Sequence, residues 1–134
     1  MEDSEVITQF VFGDDDTYGL FSLLNDDWKP GFNVGTHFHK RHYEIFYLKE
    51  GRAEWTVNGE THQMKAGDAV WIPANSRHSA RTIGDKPAKF LLYYFPGSYQ
   101  QHRVREMEYT EEERNQPEIK NMLRELNDFN PVKK

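Results

Sequence analysis

Short runs of β-branched and aromatic residues, each ended by turn-forming residues, fill most of the first 95 positions of the sequence. Such runs are typical of strands, and their ends carry the glycine, proline, asparagine and aspartate that turns favour. Asn58-Gly59 lies between two of the runs and is typical of a two-residue hairpin. The predicted strands are residues 6–12, 18–24, 44–48, 52–57, 61–64, 69–72, 78–83 and 90–95. This pattern predicts an all-β fold, an antiparallel β-barrel or jelly roll.

The pattern changes after residue 97, and from Thr110 onward the chain is rich in Glu, Arg, Asn and Lys. Apolar residues there recur at the i, i+3, i+4 and i+7 spacing of an amphipathic helix. They are Ile119, Met122, Leu123 and Leu126. We expect a short C-terminal helical segment over about 110–128, with Asn115 as a candidate cap and Pro117 near its first turn. This helix is expected to close one end of the barrel, and the alternatives are a dimer contact or a pocket lid.

Length and charge narrow the class of protein. The 134 residues suffice for one compact domain, expected to span residues 1–134, and are too few for two ordinary ones. Lysine and arginine number 17 and aspartate and glutamate 22, so the net charge is −5 and no nucleic-acid partner is expected. No apolar run approaches the roughly 20 residues that cross a bilayer, and the acidic amino end lacks the features of a secretory signal. We therefore expect a cytoplasmic protein with no membrane partner.

The chain has no cysteine, so a metal ion would have to be held by imidazole and carboxylate groups. Three of its six histidines, His37, His39 and His42, fall within six residues. On a strand His37 and His39 would share one face, about 7 Å apart. Glu44 lies an odd number of residues from His39, so the chain must turn or bulge between them before Glu44 can point the same way. His78 belongs to a distant predicted strand, which a barrel can bring close to the others.

Two spaced motifs contain the candidate ligands. The first, over residues 31–51, is Gly31-x5-His37-x-His39-x4-Glu44-x6-Gly51, and the second, over residues 67–82, is Gly67-x5-Pro73-x-Asn75-x2-His78. Both resemble the motifs of the cupin superfamily, and the first matches at every defined position. The ending at residues 95–99, Phe-Pro-Gly-Ser-Tyr, is similar to that of single-domain, quercetinase-like cupins. The second motif departs from the family at Asn75, where glycine is usual, and at Thr82, where asparagine is usual. Asparagine tolerates left-handed φ better than most residues, so the change at Asn75 is physically mild.

The resemblance implies one divalent metal ion, held by His37, His39, Glu44 and His78. Three neutral imidazoles and one carboxylate would leave a net charge near +1, and an open ligand position would make the ion a Lewis acid. The ion is expected to be Fe, Mn, Ni, Zn, Co or Cu. Glu44 is also the candidate catalytic residue, because it could accept a proton from a substrate hydroxyl. His42 either lies beside the ligands or replaces Glu44 or His39 among them.

Alternation along the strands predicts which side chains surround the ion. If Glu44 points inward, Phe46 and Leu48 point inward too. On the last strand either Leu91, Tyr93 and Phe95 or Leu92 and Tyr94 face inward, and the sequence leaves this open. The candidate residues of the substrate pocket are Phe46, Leu48, Tyr93, Trp71 and His42. A pocket that is mainly apolar and aromatic suits a planar organic molecule.

Three functions from different classes fit such a site. The leading hypothesis is a metal-dependent dioxygenase acting on an aromatic or enol-bearing small molecule, as the resemblance to quercetinase-like cupins suggests. The first alternative is a non-redox cyclase, lyase or isomerase of the polyketide type, in which the ion only polarises a carbonyl. The second is a non-catalytic module that binds a small ligand. The resemblance also implies a homodimer formed through barrel strands.

Overall fold

The computed structural model describes residues 6–96 and 109–132, which form two antiparallel β-sheets and a small helical region. The strands are β1 (Val6–Phe12), β2 (Ser22–Trp28), β3 (Asn33–Phe38), β4 (Tyr43–Glu50), β5 (Arg52–Val57), β6 (Glu60–Lys65), β7 (Ala69–Ile72), β8 (His78–Thr82), β9 (Ala88–Phe95) and β10 (Asn130–Pro131). The helices are α1 (Glu111–Arg114) and α2 (Pro117–Asn127), and a short 3-10 helix covers Asp14–Asp16. These elements confirm the predicted all-β class with helix near the C-terminal end.

The two sheets have five strands each. The first has the strand order β1-β2-β9-β4-β7, and the second has the order β10-β3-β8-β5-β6. Most neighbouring strands are distant in sequence, as expected of a jelly roll. The sheets face each other without closing into one continuous barrel, so the jelly roll is the observed form of the predicted fold.

Aromatic side chains from both sheets form the centre of the core. Trp28, Phe46 and Phe90 come from the first sheet and Trp55 from the second, and their ring centroids lie 4.6 to 6.3 Å apart. All four side chains are buried. Their edge-to-face and tilted contacts are the arrangements that aromatic rings prefer. This packing fixes which face of each strand points inward, and therefore which polar residues the same strands carry into the interior.

Strand β2 begins four residues later than the sequence predicts. Tyr18 and Gly19 have left-handed φ angles of 56° and 76°, so the first part of the predicted strand is a turn. The strand instead continues through the Asn-Asp-Asp segment that was expected to end it. Asp26 is buried there, and the cost of burying its carboxylate is offset because it accepts hydrogen bonds from Thr8 Oγ1 and Trp28 Nε1.

The turn between β5 and β6 confirms the predicted hairpin. Asn58 and Gly59 have φ angles of 49° and 87°, the left-handed values that a tight two-residue turn requires at both positions. Val57 pairs with Glu60 directly across this turn, and the ladder continues without a bulge as far as Arg52 and Lys65.

The helical region contains two helices rather than one. Thr110 caps α1 with its side chain, and Asn115 ends α1 instead of beginning α2. Gln116 is the N-cap of α2, with Pro117 in the first turn as predicted. On the predicted apolar face Leu123 is buried, whereas the side chain of Leu126 lies outside the described residues. Within the described part of the chain, no helix is long and apolar enough to span a membrane.

Candidate metal centre

Four polar side chains meet between the sheets, all of them 5% exposed or less. His37 belongs to β3 and His78 to β8, while His39 directly follows β3 and Glu44 is the second residue of β4. The chain bends at residues 40–41, which lets Glu44 face inward despite its odd separation from His39. The turn expected from strand parity is therefore present, and it brings all four residues to one place.

Strand pairing positions the three histidine rings. His37 lies directly opposite His78 in the antiparallel β3–β8 pair, after a register shift that follows Val34. The ring centroid of His37 is 4.2 Å from that of His78 and 4.9 Å from that of His39. One nitrogen from each ring lies within 4.8 Å of the others, a spacing that suits ligation of one ion.

Hydrogen bonds at Nδ1 orient the rings. His37 Nδ1 lies 2.8 Å from the Gly35 carbonyl oxygen, and His78 Nδ1 lies 2.8 Å from the Ser76 carbonyl oxygen. His39 Nδ1 lies 2.9 Å from the backbone carbonyl oxygen of Asp128. Because a carbonyl oxygen only accepts, each Nδ1 is the protonated donor, and Nε2 keeps its lone pair. Neutral histidines held in this way are typical metal ligands.

The Glu44 carboxylate completes the donor set. Its Oε1 atom is 2.6 Å from His39 Nε2 and 4.0 Å from His78 Nε2. The first contact is short, and by geometric criteria His39 Nε2 is a buried nitrogen without a hydrogen-bond partner. Buried polar atoms normally have a partner, so converging donors of this kind fit a cation between them. The residues therefore suit a divalent metal ion of the imidazole and carboxylate type.

Burial and neighbouring charges favour the metal-binding protonation state at three of the four donors, His37, His78 and Glu44. Burial, together with the neighbouring His78, lowers the pKa of His37 to about 3, and burial also lowers the pKa of His78. For His39, burial is outweighed by the charge and contact of Glu44, so its pKa is raised. For Glu44, burial is likewise outweighed, and the contacts with His39 and His42 hold its pKa well below the usual value. Glu44 is thus ionised at neutral pH, as metal binding requires.

His42 lies beside this donor set and is 1% exposed. Its Nε2 atom is 3.8 Å from Glu44 Oε1, and its Nδ1 atom is 3.2 Å from Asp128 Oδ2. The ring also packs edge-on against Tyr94. With His39 and Glu44 it forms a second group whose atoms lie within ligand distance of one another. His42 therefore stays a candidate for a ligand as well as for a neighbour of the ligands.

Sequence reasoning missed two residues at the site, Asp128 and Phe129. Asp128 is 2% exposed and touches both His39 and His42, as given above. Its pKa is lowered, because hydrogen bonds from the backbone of Lys40 and Arg41 outweigh the effect of burial. The Phe129 ring stacks on His37 with centroids 4.2 Å apart. No motif marks either residue, because both reach the site only through the path of the chain after α2.

The candidate pocket residues divide between the interior and the outer surface. Phe46 and Leu48 are buried between the sheets. On β9 the inward set is Leu92 and Tyr94, since Leu92 pairs with Phe46 and Tyr94 with Glu44. Tyr93 therefore lies on the outer face, and Trp71 is 62% exposed on the outer face of β7. Tyr93 and Trp71, which the sequence analysis places in the pocket, thus lie on the outer faces of their strands, because both have the opposite strand parity from the buried residues.

A cleft of about 380 Å³ lies outside the metal centre, between the bend after β3 and the end of α2. Its lining includes Arg41, Arg124, Asp128 and Phe129. The last two residues also contact the histidines, so they form the wall between this cleft and the candidate metal centre.

The fold and site place the chain in a known family. A family model described as a cupin domain matches residues 27–94, and the chain belongs to that family. A polyketide synthase protein from Streptomyces cyaneus, CurC, is 34% identical over 68 residues, which cover 51% of this chain and 44% of that protein. A quercetin 2,3-dioxygenase from Bacillus subtilis is 32% identical over 92 residues, which cover 69% of this chain and 27% of that enzyme. The matched part thus spans half or less of these relatives.

Solved structures show the same fold. A protein from Thermotoga maritima, described as a predicted oxalate decarboxylase, superposes with a TM-score of 0.65 and is 24% identical. That superposition covers 69% of this chain and 82% of the other chain. KdgF from a Halomonas species gives a TM-score of 0.63 at 20% identity, covering 70% and 82% of the two chains. At these identities the likeness establishes the fold alone.

Proposed function

We propose that this chain is a metal-dependent dioxygenase acting on an aromatic or enol-bearing small molecule. The observation that carries the proposal is the buried meeting point of three oriented histidine nitrogens and the ionised Glu44. Two relatives support the reaction class. One is the quercetin 2,3-dioxygenase, and the other is a 5-nitrosalicylic acid 1,2-dioxygenase from a Bradyrhizobium species, 36% identical over 64 residues.

In this proposal His37, His39, Glu44 and His78 hold one divalent ion, and His42 is the alternative ligand. When bound, such an ion supplies Lewis acidity toward a substrate hydroxyl and, if it is redox-active, a means of electron transfer to O2. Glu44 accepts the proton that the hydroxyl gives up. Because the pKa of Glu44 is low, the carboxylate takes this proton only from a strongly acidified donor.

Buried aromatic side chains pack around the donor set. Trp55 stacks parallel to His78 with centroids 6.3 Å apart, and Phe46 packs against Trp55 at 4.6 Å. Tyr94 stands edge-on to His42 at 5.3 Å. These side chains exclude water from the ligand atoms, which strengthens the electrostatic interactions of Glu44. We infer from these aromatic surroundings that the substrate is apolar and planar, since small-molecule sites are usually of this composition.

Oxygen consumption tests the proposal. Protein loaded separately with Fe, Mn and Ni should take up O2 when a flavonol or a catechol-like compound is added. The Glu44→Gln variant, which keeps the size of the side chain and loses its charge, should be at least about 100-fold slower. If none of the three loaded forms consumes oxygen with any compound of these two classes, the dioxygenase proposal is wrong.

The polyketide-related relatives favour a second function, that of a non-redox cyclase, lyase or isomerase. Besides CurC, the tetracenomycin polyketide synthase protein TcmJ from Streptomyces glaucescens is 30% identical over 67 residues. This function predicts turnover under nitrogen with Zn or Ni in the site.

A third function, ligand binding without turnover, is supported by an oxalate-binding protein from Thermotoga maritima, 34% identical over 62 residues. It predicts saturable binding and an unchanged ligand.

A small-molecule partner fits the family, as the relatives named above illustrate. The cytoplasmic location and the homodimer stay predictions. Sedimentation of the purified protein tests the homodimer directly, because a dimer has twice the 15.9 kDa mass of the chain.

A further inference from the structure

The chain leaves helix α2 through a sharp reversal at Asp128. This residue has a left-handed φ of 55°, and its N–H donates to the carbonyls of Arg124 and Glu125 at the helix end. Phe129 N–H also donates to Arg124, at 2.8 Å. The reversal sends the following residues along β3, where β10 pairs with the strand that carries His37. Residues 128–130 are thereby fixed against the metal centre.

Asp128 makes contact with the site through both its backbone and its side chain. Its carbonyl oxygen accepts from His39 Nδ1 at 2.9 Å. Its carboxylate Oδ2 accepts from the backbone N–H of Arg41 at 2.5 Å and lies 3.2 Å from His42 Nδ1. Asn130 Nδ2 donates to the Asp128 carbonyl at 3.2 Å and to the Phe38 carbonyl at 3.1 Å. Asp128 is therefore held from several sides and in turn holds two histidines.

The other two ring orientations are set locally. His37 and His78 each use the carbonyl oxygen of the residue two positions earlier, within or next to their own strands. His39 depends instead on a residue 89 positions away, and His42 on the same residue. The geometry of β3 and β8 alone thus orients two rings, whereas the remaining two require the chain after α2 to be in place.

We propose that Asp128 is a positioning residue of the metal centre, which aligns His39 and His42 so that Nε2 of each faces the ion. The inference rests on the metal site of the proposed function, and it holds for any of the three reaction classes. Partners that hydrogen-bond to a ligand histidine fix its tautomer and ring direction and raise its basicity. Here one residue does this for two neighbouring rings at once, because its carbonyl and its carboxylate face different rings.

The left-handed φ of Asp128 decides which variants test the proposal. Asn and Gly both tolerate this conformation, so Asp128→Asn removes the charge and Asp128→Gly removes the side chain without straining the turn. Both variants keep the backbone carbonyl that accepts from His39, but Asp128→Gly removes the side-chain bonds to His42 and to the Arg41 N–H, and the second of these holds the carbonyl in place. Asp26 supplies the matched control. It too is a buried aspartate that accepts hydrogen bonds from side chains, those of Thr8 and Trp28, but it lies on β2, which carries none of the candidate ligands.

Zn affinity measured by competition with a chromophoric chelator is the first readout, and the visible absorption of the Co-loaded protein is the second. We expect Asp128→Gly to bind about 10- to 100-fold more weakly than the wild type, with an altered Co spectrum, and Asp128→Asn to fall between them. Asp26→Asn should keep the wild-type affinity and spectrum even if its melting temperature falls. A merely structural role for Asp128 would move the melting temperature alone.

Zn affinity and Co spectra of Asp128→Asn and Asp128→Gly that match the wild type would overturn the proposal. If Asp128→Gly fails to fold, Asp128→Asn decides, since it keeps both an oxygen acceptor and the turn. A wild-type protein that binds neither Zn nor Co would overturn the metal site itself, and the positioning role with it. A wild type that binds metal but consumes no oxygen leaves this proposal supported by the affinity series and contradicts only the dioxygenase reaction.

Discussion

His37 carries a consequence for the stability of the metal-free protein. Its pKa is about 3 in the folded state, because of burial and the neighbouring His78, against an ordinary value of 6.5. Between these two values the unfolded chain binds a proton at this position and the folded chain does not. Acidification therefore favours unfolding, and the free energy of unfolding should rise with pH by up to about 1.4 kcal/mol per unit in this interval.

In the window from pH 4.5 to 6.5 Glu44 contributes little, since its ordinary pKa is 4.5 and its folded value is lower. His78, whose pKa burial also lowers, adds to the slope that His37 produces there. Urea unfolding of the metal-free protein across the window should show the combined slope, and His37→Asn should reduce it. His62→Asn, at an exposed histidine, should keep the wild-type slope. Equal slopes for His37→Asn and the wild type would contradict this prediction.

Some residues of the candidate metal centre are predictable from the sequence, and others are not. His37, His39, Glu44 and His78 lie together as expected, because spacing and strand parity are visible in the sequence. Asp128 was not predictable, since its contacts span 86 to 89 residues and depend on how α2 ends. The outward direction of Tyr93 and Trp71 depended on the pairing register, which alternation alone leaves ambiguous by one residue.

Among the elements, the turns that join strands depend on left-handed glycines to different degrees. Gly51 and Gly59 have nearly the same φ, 88° and 87°. A Cβ at Gly59 would meet open space, whereas a Cβ at Gly51 would collide with the carbonyl oxygen of Pro87. Both glycines are therefore needed for conformation, and Gly51 is needed for space as well.

Alanine at these two positions should separate strain from collision. Gly59→Ala should cost about 1 kcal/mol in the free energy of unfolding, because only the backbone is strained. Gly51→Ala should cost roughly 3 kcal/mol, because β4, β5 and the start of β9 must move apart. Urea denaturation measures both values. Equal losses for the two variants would show that the close approach to Pro87 does not constrain the fold.

Local backbone preferences account for the break between helices α1 and α2, where the sequence analysis expects one helical segment. The helical segment near the C-terminus breaks into two because Pro117 disfavours helical backbone at the preceding residue, and Gln116 is indeed extended, with ψ of 132°.

Asn75 fits the second motif despite replacing glycine, since it adopts a left-handed φ of 69°. Its N–H donates to the His39 carbonyl at 2.6 Å, so this turn also ties β8 to the ligand segment.

On the scale of the whole molecule, the jelly roll combines an aromatic core with a buried polar site. The rings of Trp28, Phe46, Trp55 and Phe90 bury apolar area that stabilises the fold, and this offsets the cost of placing Glu44 and several histidines in the interior. The fold class was predictable because turn spacing and alternation are local signals. Two features were not predictable, because both depend on contacts between distant segments. They are the division into two sheets that do not close into one barrel, and the pairing of β10 with β3.

The metal content of the protein tests the central claim most directly. Chelator-stripped protein, supplied with a divalent metal and desalted, should contain about one ion per chain by elemental analysis. His78→Ala should lose that ion, because one of four ligands is gone, while His62→Ala, at an exposed histidine, should retain it. A His78→Ala protein with the same metal content as the wild type, or a wild type with no bound ion, would contradict the account.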